Sequence, residues 1–65
     1  MNDMYELEEF METPGRSGFV MTRKCPAEQY EMLIERKVKQ LQRINKPFRV
    51  YVNTEEGIRE LVNAS

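Results

Sequence analysis

The spacing of hydrophobic residues in the middle of the chain predicts a long helix. Pro26 suits the first turn of a helix, where its missing N–H is not needed. Cys25 and Glu28 have the spacing of a capping box, with sulfur in place of a hydroxyl. The helix is expected to end at residues 45–47, because the residue before a proline avoids the helical region. Apolar residues at three- and four-residue spacing form one stripe: Tyr30, Leu33, Ile34, Val38, Leu41 and Ile44.

Alternating patterns on either side of this helix predict strands. In residues 48–52, Phe48, Val50 and Val52 alternate with Arg49 and Tyr51, as in a strand with one buried face. Residues 19–24 follow TPGRSG, a turn-forming stretch, and begin with strand-forming side chains. The acidic residues 1–12 allow two structures, because their alternation slips at residues 9–11. A strand with a bulge there would pair with 19–24 as a hairpin, which the loop chemistry favours; the alternative is a short helix.

The end of the chain is predicted to form a second helix. Asn53 can cap it, Glu56 falls at its third position, and an apolar face follows from Ile58, Leu61 and Val62. The resulting order is β-β-α-β-α in one α+β domain, residues 1–65. We expect a three-stranded mixed sheet packed by one long and one short helix, with a right-handed crossover through the long helix.

Length and composition restrict how such a chain can be stabilised. A domain of 65 residues buries only roughly 60% of the surface that its unfolded chain exposes. With one cysteine and no histidine, an intrachain disulfide is excluded and a structural zinc site has too few ligands. Homo-oligomerisation or binding to a partner remains, and we expect a homodimer. A lone thiol also indicates a reducing, cytoplasmic setting, and no apolar run reaches the ~18 residues of a membrane span.

The sequence predicts no catalysis, cofactor or metal. Histidine, the usual acid–base group at neutral pH, is missing. The adjacent carboxylates at 8–9 and 55–56 would point away from each other on a strand or helix. Cys25 is the one candidate reactive group: at a helix start, beside Arg23 and Lys24, its thiol should have a lowered pKa. The alternative is a half-buried capping residue without chemistry of its own.

Basic residues are concentrated in residues 35–49, and this segment predicts a binding surface. Wound as a helix, Arg36, Lys39 and Arg43 share a face away from the core, together with an exposed Met32. Methionine and arginine are common at protein-docking surfaces. Lys37 falls inside the apolar stripe, where it would either extend past the core edge or meet a carboxylate across a dimer interface. The partner-binding candidates are Met32, Arg36, Lys39, Arg43, Lys46 and Arg49.

We therefore expect a small, non-enzymatic, cytoplasmic module that docks on a larger protein, as an adaptor or inhibitor does. The alternative is a nucleic-acid-binding regulator whose basic helix face contacts phosphates, through Arg36, Lys39, Arg43, Lys46 and Arg49. A third possibility is a thiol-based sensor that acts through Cys25. The basic helix face would then be only solvated. A membrane partner is not expected.

Overall fold

A four-stranded antiparallel sheet with helical structure on one face is the architecture of the computed structural model, which describes residues 3–65. Neighbouring strands pair in the order β2-β1-β3-β4. The first strand therefore lies inside the sheet, hydrogen-bonded on both sides. The strands are β1, Met4–Thr13; β2, Arg16–Pro26; β3, Phe48–Asn53; and β4, Arg59–Ala64.

One helical segment, residues 27–43, connects β2 to β3. It begins with a 3₁₀ turn at Ala27–Gln29, widens to π-type turns at Glu31–Glu35 and continues as α1 at Arg36–Arg43. The predicted long helix is thereby confirmed, and it ends before Pro47 as expected. Its predicted cap is wrong: Cys25 lies in β2, Pro26 is the N-cap residue, and no side chain in the described chain caps this helix start.

The first two strands form a hairpin, which confirms that interpretation over a short helix. Gly15 in the two-residue connection has φ +81°, a value that the third position of a type II turn requires and that glycine adopts readily. The predicted bulge is present but lies on the other strand. Leu7 pairs with Arg23 and Glu8 with Met21, so Thr22 of β2 is the extra residue.

The predicted C-terminal helix is wrong, because this segment is the edge strand β4. Gly57 has φ +85°, which is incompatible with a right-handed helix. The Thr54 backbone N–H donates to the Ile58 carbonyl at 2.9 Å, and the Ile58 N–H donates to the Thr54 hydroxyl at 3.2 Å. These bonds close a tight turn, and β4 then pairs with β3 instead of leaving it at the edge.

The predicted three-stranded mixed sheet with two helices is therefore also wrong. The helical segment does connect two strands of the same direction, since β2 and β3 are both antiparallel to β1. However, β1 lies between them, so every neighbouring pair in the sheet is antiparallel.

A single core lies between the helical segment and the sheet. Leu33 and Ile44, which the apolar stripe included, are 36% and 60% exposed. Leu33 lies in the wider π-type turns, which shift the 3.6-residue periodicity, and Ile44 is the C-cap residue, where the backbone has left helical geometry. Tyr30 is half-buried against Tyr5, with ring centroids 4.5 Å apart. The core residues are Leu7, Cys25, Ile34, Val38, Leu41, Phe48 and Val50.

Replacing Gly57 by alanine distinguishes the β3–β4 hairpin from a helix. In the hairpin, alanine must adopt a positive φ, so Gly57→Ala should lower the free energy of unfolding by about 1 kcal/mol. In a helix, the same change would raise it by a similar amount. Urea unfolding followed by circular dichroism measures the sign. Glu56→Ala in the same turn is the control and should change stability by less than about 0.5 kcal/mol.

Candidate functional site

The structure separates the six partner-binding candidates into three places. Met32, Arg36, Lys39 and Arg43 lie along the exposed side of the helical segment. Lys46 lies just beyond the end of α1 and contacts a buried carboxylate. The remaining candidate, Arg49, lies on the face of the sheet opposite the helix, because its neighbours in β3 both point into the core. The six residues therefore do not form one basic surface.

A shallow groove runs along the outer side of the helical segment. Met32 is 65% exposed there, although its side chain is apolar. The other residues that line the groove are charged. Lys39 Nζ lies 3.7 Å from Glu35 Oε1 one turn earlier, and both side chains are largely exposed. Acidic residues predominate toward the start of this groove and basic residues toward its end. The helix groove is lined by Glu28, Glu31, Met32, Glu35, Arg36 and Lys39.

Lys46 is part of a polar cluster around Glu9. Lys46 Nζ lies 3.3 Å from Glu9 Oε1, and the Thr22 hydroxyl donates to Glu9 Oε2 at 2.6 Å. Glu9 is 4% exposed and is the one buried charged residue among residues 3–65. Because the bulge places Thr22 at this position, the cluster joins β1, β2 and the end of the helix. This role accounts for Lys46 without any partner.

The surroundings of Glu9 favour its ionised form. Burial alone raises the pKa of this carboxyl, but the hydrogen bonds from Thr22 and Lys46 and the charges of Lys37 and Lys46 lower it more. The net pKa lies below the ordinary 4.5. Lys37 was expected to extend past the core edge or to meet a carboxylate across a dimer interface; its charge acts instead on Glu9 of its own chain.

Arg49 stacks on an aromatic pair on the sheet face opposite the helix. Its guanidinium carbon lies 3.8 Å from the centroid of the Phe19 ring, and Phe19 makes an edge contact with Phe10 across the strands, with centroids 5.6 Å apart. Strand alternation places further apolar and aromatic side chains on this face. We call it the open face and define it by Phe10, Phe19, Met21, Arg49, Tyr51 and Leu61.

Sequence reasoning did not identify Arg59, which organises much of this sheet face. Its Nη2 atom lies 3.3 Å from both Glu6 Oε1 and Glu8 Oε2. Its guanidinium carbon also lies 3.8 Å from the centroid of the Tyr51 ring. The Glu56-Gly57 dipeptide could have indicated a turn before this strand, but the helix-start pattern at residues 53–56 led to the wrong element.

Cys25 lies in the core, 1% exposed. Burial raises the pKa of its thiol, which is the opposite of the direction expected for a helix N-terminus. The protonated thiol is a poor nucleophile. The arrangement therefore does not support a reactive thiol, and Cys25 acts as a small apolar residue in the folded chain.

Comparisons with known proteins do not assign a function to this arrangement. No family model matches the chain, and neither a curated protein nor a solved structure matches it.

Across residues 3–65, no group of three or more His, Cys, Asp or Glu residues is arranged to hold a metal. No helix in that range has the length and apolar character needed to cross a membrane. Two surfaces of the molecule are candidates for binding, the helix groove and the open face.

The Glu9 cluster predicts that stability falls in acid. Since the folded chain holds the Glu9 pKa below 4.5, the carboxylate stabilises the fold above about that pH and loses its contribution as the pH falls through the folded pKa. Glu9→Gln should lower the free energy of unfolding at neutral pH by about 1–3 kcal/mol and should flatten its decline in acid. Urea unfolding at several pH values tests this, with exposed Glu60→Gln as control; an unchanged acid profile in Glu9→Gln would contradict it.

The burial of Cys25 predicts slow alkylation of the folded protein. At neutral pH, iodoacetamide should modify Cys25 at least about tenfold more slowly in the native chain than in the urea-unfolded chain, because reaction requires local opening. Mass spectrometry of timed samples measures both rates. Equal rates would show that the thiol is accessible in the native state.

Proposed function

We propose that this protein is a non-catalytic binding module that docks on a larger protein through its helix groove, as an adaptor or an inhibitor. The observation that carries the proposal is Met32, 65% exposed at the centre of a groove whose other lining residues are charged. A cytoplasmic setting is part of the proposal, supported by the single reduced thiol of Cys25.

Met32 has the properties of an apolar anchor. A methionine side chain is unbranched and flexible, so it can fit a pocket on a partner that a rigid side chain would not fill. Interfaces derive most of their binding energy from a few such residues when water is excluded around them. The charged residues of the groove surround Met32 on both sides along the helix, as the polar rim of an interface does.

The charges of the groove indicate the chemistry of the partner. Glu28 and Glu31 lie toward the start of the helix groove, while Arg36 and Lys39 lie toward its end. A complementary surface presents basic residues to the first part, an apolar pocket at the centre and acidic residues to the second part. An amphipathic helix laid along the groove with its charges in the reverse order would satisfy these requirements.

The nucleic-acid alternative receives less support from the positions of the same residues. Glu28, Glu31 and Glu35 share the groove with the bases, and carboxylates repel a phosphate backbone. Lys46 is engaged with Glu9, and Arg49 lies on the other side of the sheet. A row of five bases on one face, which phosphate binding would use, does not form.

The test begins with photo-crosslinking from position 32, using a photoreactive amino acid incorporated at this position alone in tagged protein added to lysate. The crosslinked protein is then purified, and its affinity is measured by calorimetry. Met32→Asp should weaken binding by about 30-fold, the loss expected for one interface anchor. Ile58→Asp is the matched control, because Ile58 is 52% exposed but lies in the β3–β4 turn, and it should leave the affinity within about twofold.

Equal losses in the two variants would contradict the assignment of the helix groove. Crosslinking to nucleic acid, with binding that weakens steeply as salt increases, would replace the proposal with the nucleic-acid alternative.

A further inference from the structure

We propose that a second copy of this chain packs its open face against the open face of the first. The two sheets would face each other across a two-fold axis, with the helical segments on the outside. This inference uses a different surface from the helix groove, so it does not depend on the proposed docking function.

The open face carries more apolar surface than a solvated sheet needs. Met21 and Leu61 are 50% and 57% exposed, and both lie on this face beside the rings of Phe10, Phe19 and Tyr51. The other face of the sheet is covered by the helical segment, and no element of residues 3–65 covers this one. Contiguous apolar surface of this kind usually marks an interaction site.

Most charges on the open face are already paired within the chain. Arg59 contacts Glu6 and Glu8 at 3.3 Å, and Lys24 Nζ lies 3.9 Å from Glu6. Covering an isolated charge is costly, whereas this group contains two acids and two bases in mutual contact. The face can therefore be removed from water without leaving these carboxylates uncompensated.

Two charges on this face have no ion-pair partner among residues 3–65, and they are of opposite sign. Arg49 stacks on Phe19, and exposed Glu12 lies on the same face as Phe10 by strand alternation. In a two-fold interface, a contact between residues i and j occurs twice. Arg49 of one copy and Glu12 of the other can thus form two ion pairs, which favours a second copy over an unrelated partner.

The dimensions of the molecule suit such a dimer. The chain is flat, with extents of 39 × 23 × 15 Å, and the sheet occupies its broad side. Stable interfaces bury about 800 Å² on each partner, which is comparable with this side of the molecule. Sheets pack face to face about 10 Å apart with interlocking side chains. A second hydrophobic layer also suits a chain of 65 residues, whose single core is small.

Sedimentation equilibrium over a range of protein concentrations tests the proposal. The wild-type protein should approach twice the chain mass of 7.8 kDa. Met21→Asp and Leu61→Asp should each weaken dimerisation by at least about 30-fold, because each buries a charge twice in the symmetric interface. Met32→Asp, on the helix side, should dimerise as the wild type does. Circular dichroism verifies that each variant is folded.

A charge exchange tests the pairing of Arg49 with Glu12. Arg49→Glu and Glu12→Arg should each weaken the dimer, since each places like charges together, and the double variant should recover much of the loss. A wild-type monomer at all concentrations would overturn the proposal, as would a dimer that Met32→Asp disrupts and Met21→Asp does not. Failure of the double variant to recover would overturn the pairing.

Discussion

The structure depends on one constraint: among residues 3–65, helical structure covers only one face of the sheet. The helical segment buries Leu7, Phe48 and Val50 on that face. On the opposite face, the apolar side chains need another way to reduce their contact with water. Arg59 does part of this, because its guanidinium lies over Tyr51 while it contacts two carboxylates of β1. Long cationic side chains can cover apolar rings in this way and keep their charge in water.

The buried carboxylate of Glu9 shows a related compromise on the covered face. Desolvating a charge is expensive unless hydrogen bonds and opposite charges compensate it. Here the compensation comes from Thr22 and Lys46, which belong to different elements. Because each of these groups needs the others, the cluster fixes how β1, the β2 bulge and the end of the helix fit together. Such polar contacts specify an arrangement more sharply than apolar packing does.

Local sequence patterns were sufficient to predict the helix and the first hairpin. The helix at residues 27–43 followed from apolar periodicity, and the first hairpin from the Pro-Gly loop. Residues 53–62 failed because Asn53 and Glu56 match a helix start, while the deciding factors were the positive φ of Gly57 and the unpaired edge of β3. Whether β3 has an unpaired edge depends on its position in the sheet beside β1, which a local pattern does not record.

The candidate surfaces were predictable only in part for the same reason. Arg36, Lys39 and Arg43 lie on one helix, so their common exposed side could be derived from spacing. The face on which Arg49 lies depends on β3, and the partner of Lys46 depends on the position of Glu9 in β1. Cys25 was expected at a helix N-terminus and instead lies in β2, buried in the core. Each of these outcomes required the tertiary fold.

The helix groove and the open face lie on opposite sides of a single sheet, and this separation has a mechanical consequence. A molecule bound at one surface does not sterically block the other. If both were occupied, the chain would act as a spacer that links two bodies through a rigid sheet. A pair of chains joined through their open faces would present two outward grooves, so a target with repeated binding sites would be held with avidity beyond the affinity of either groove.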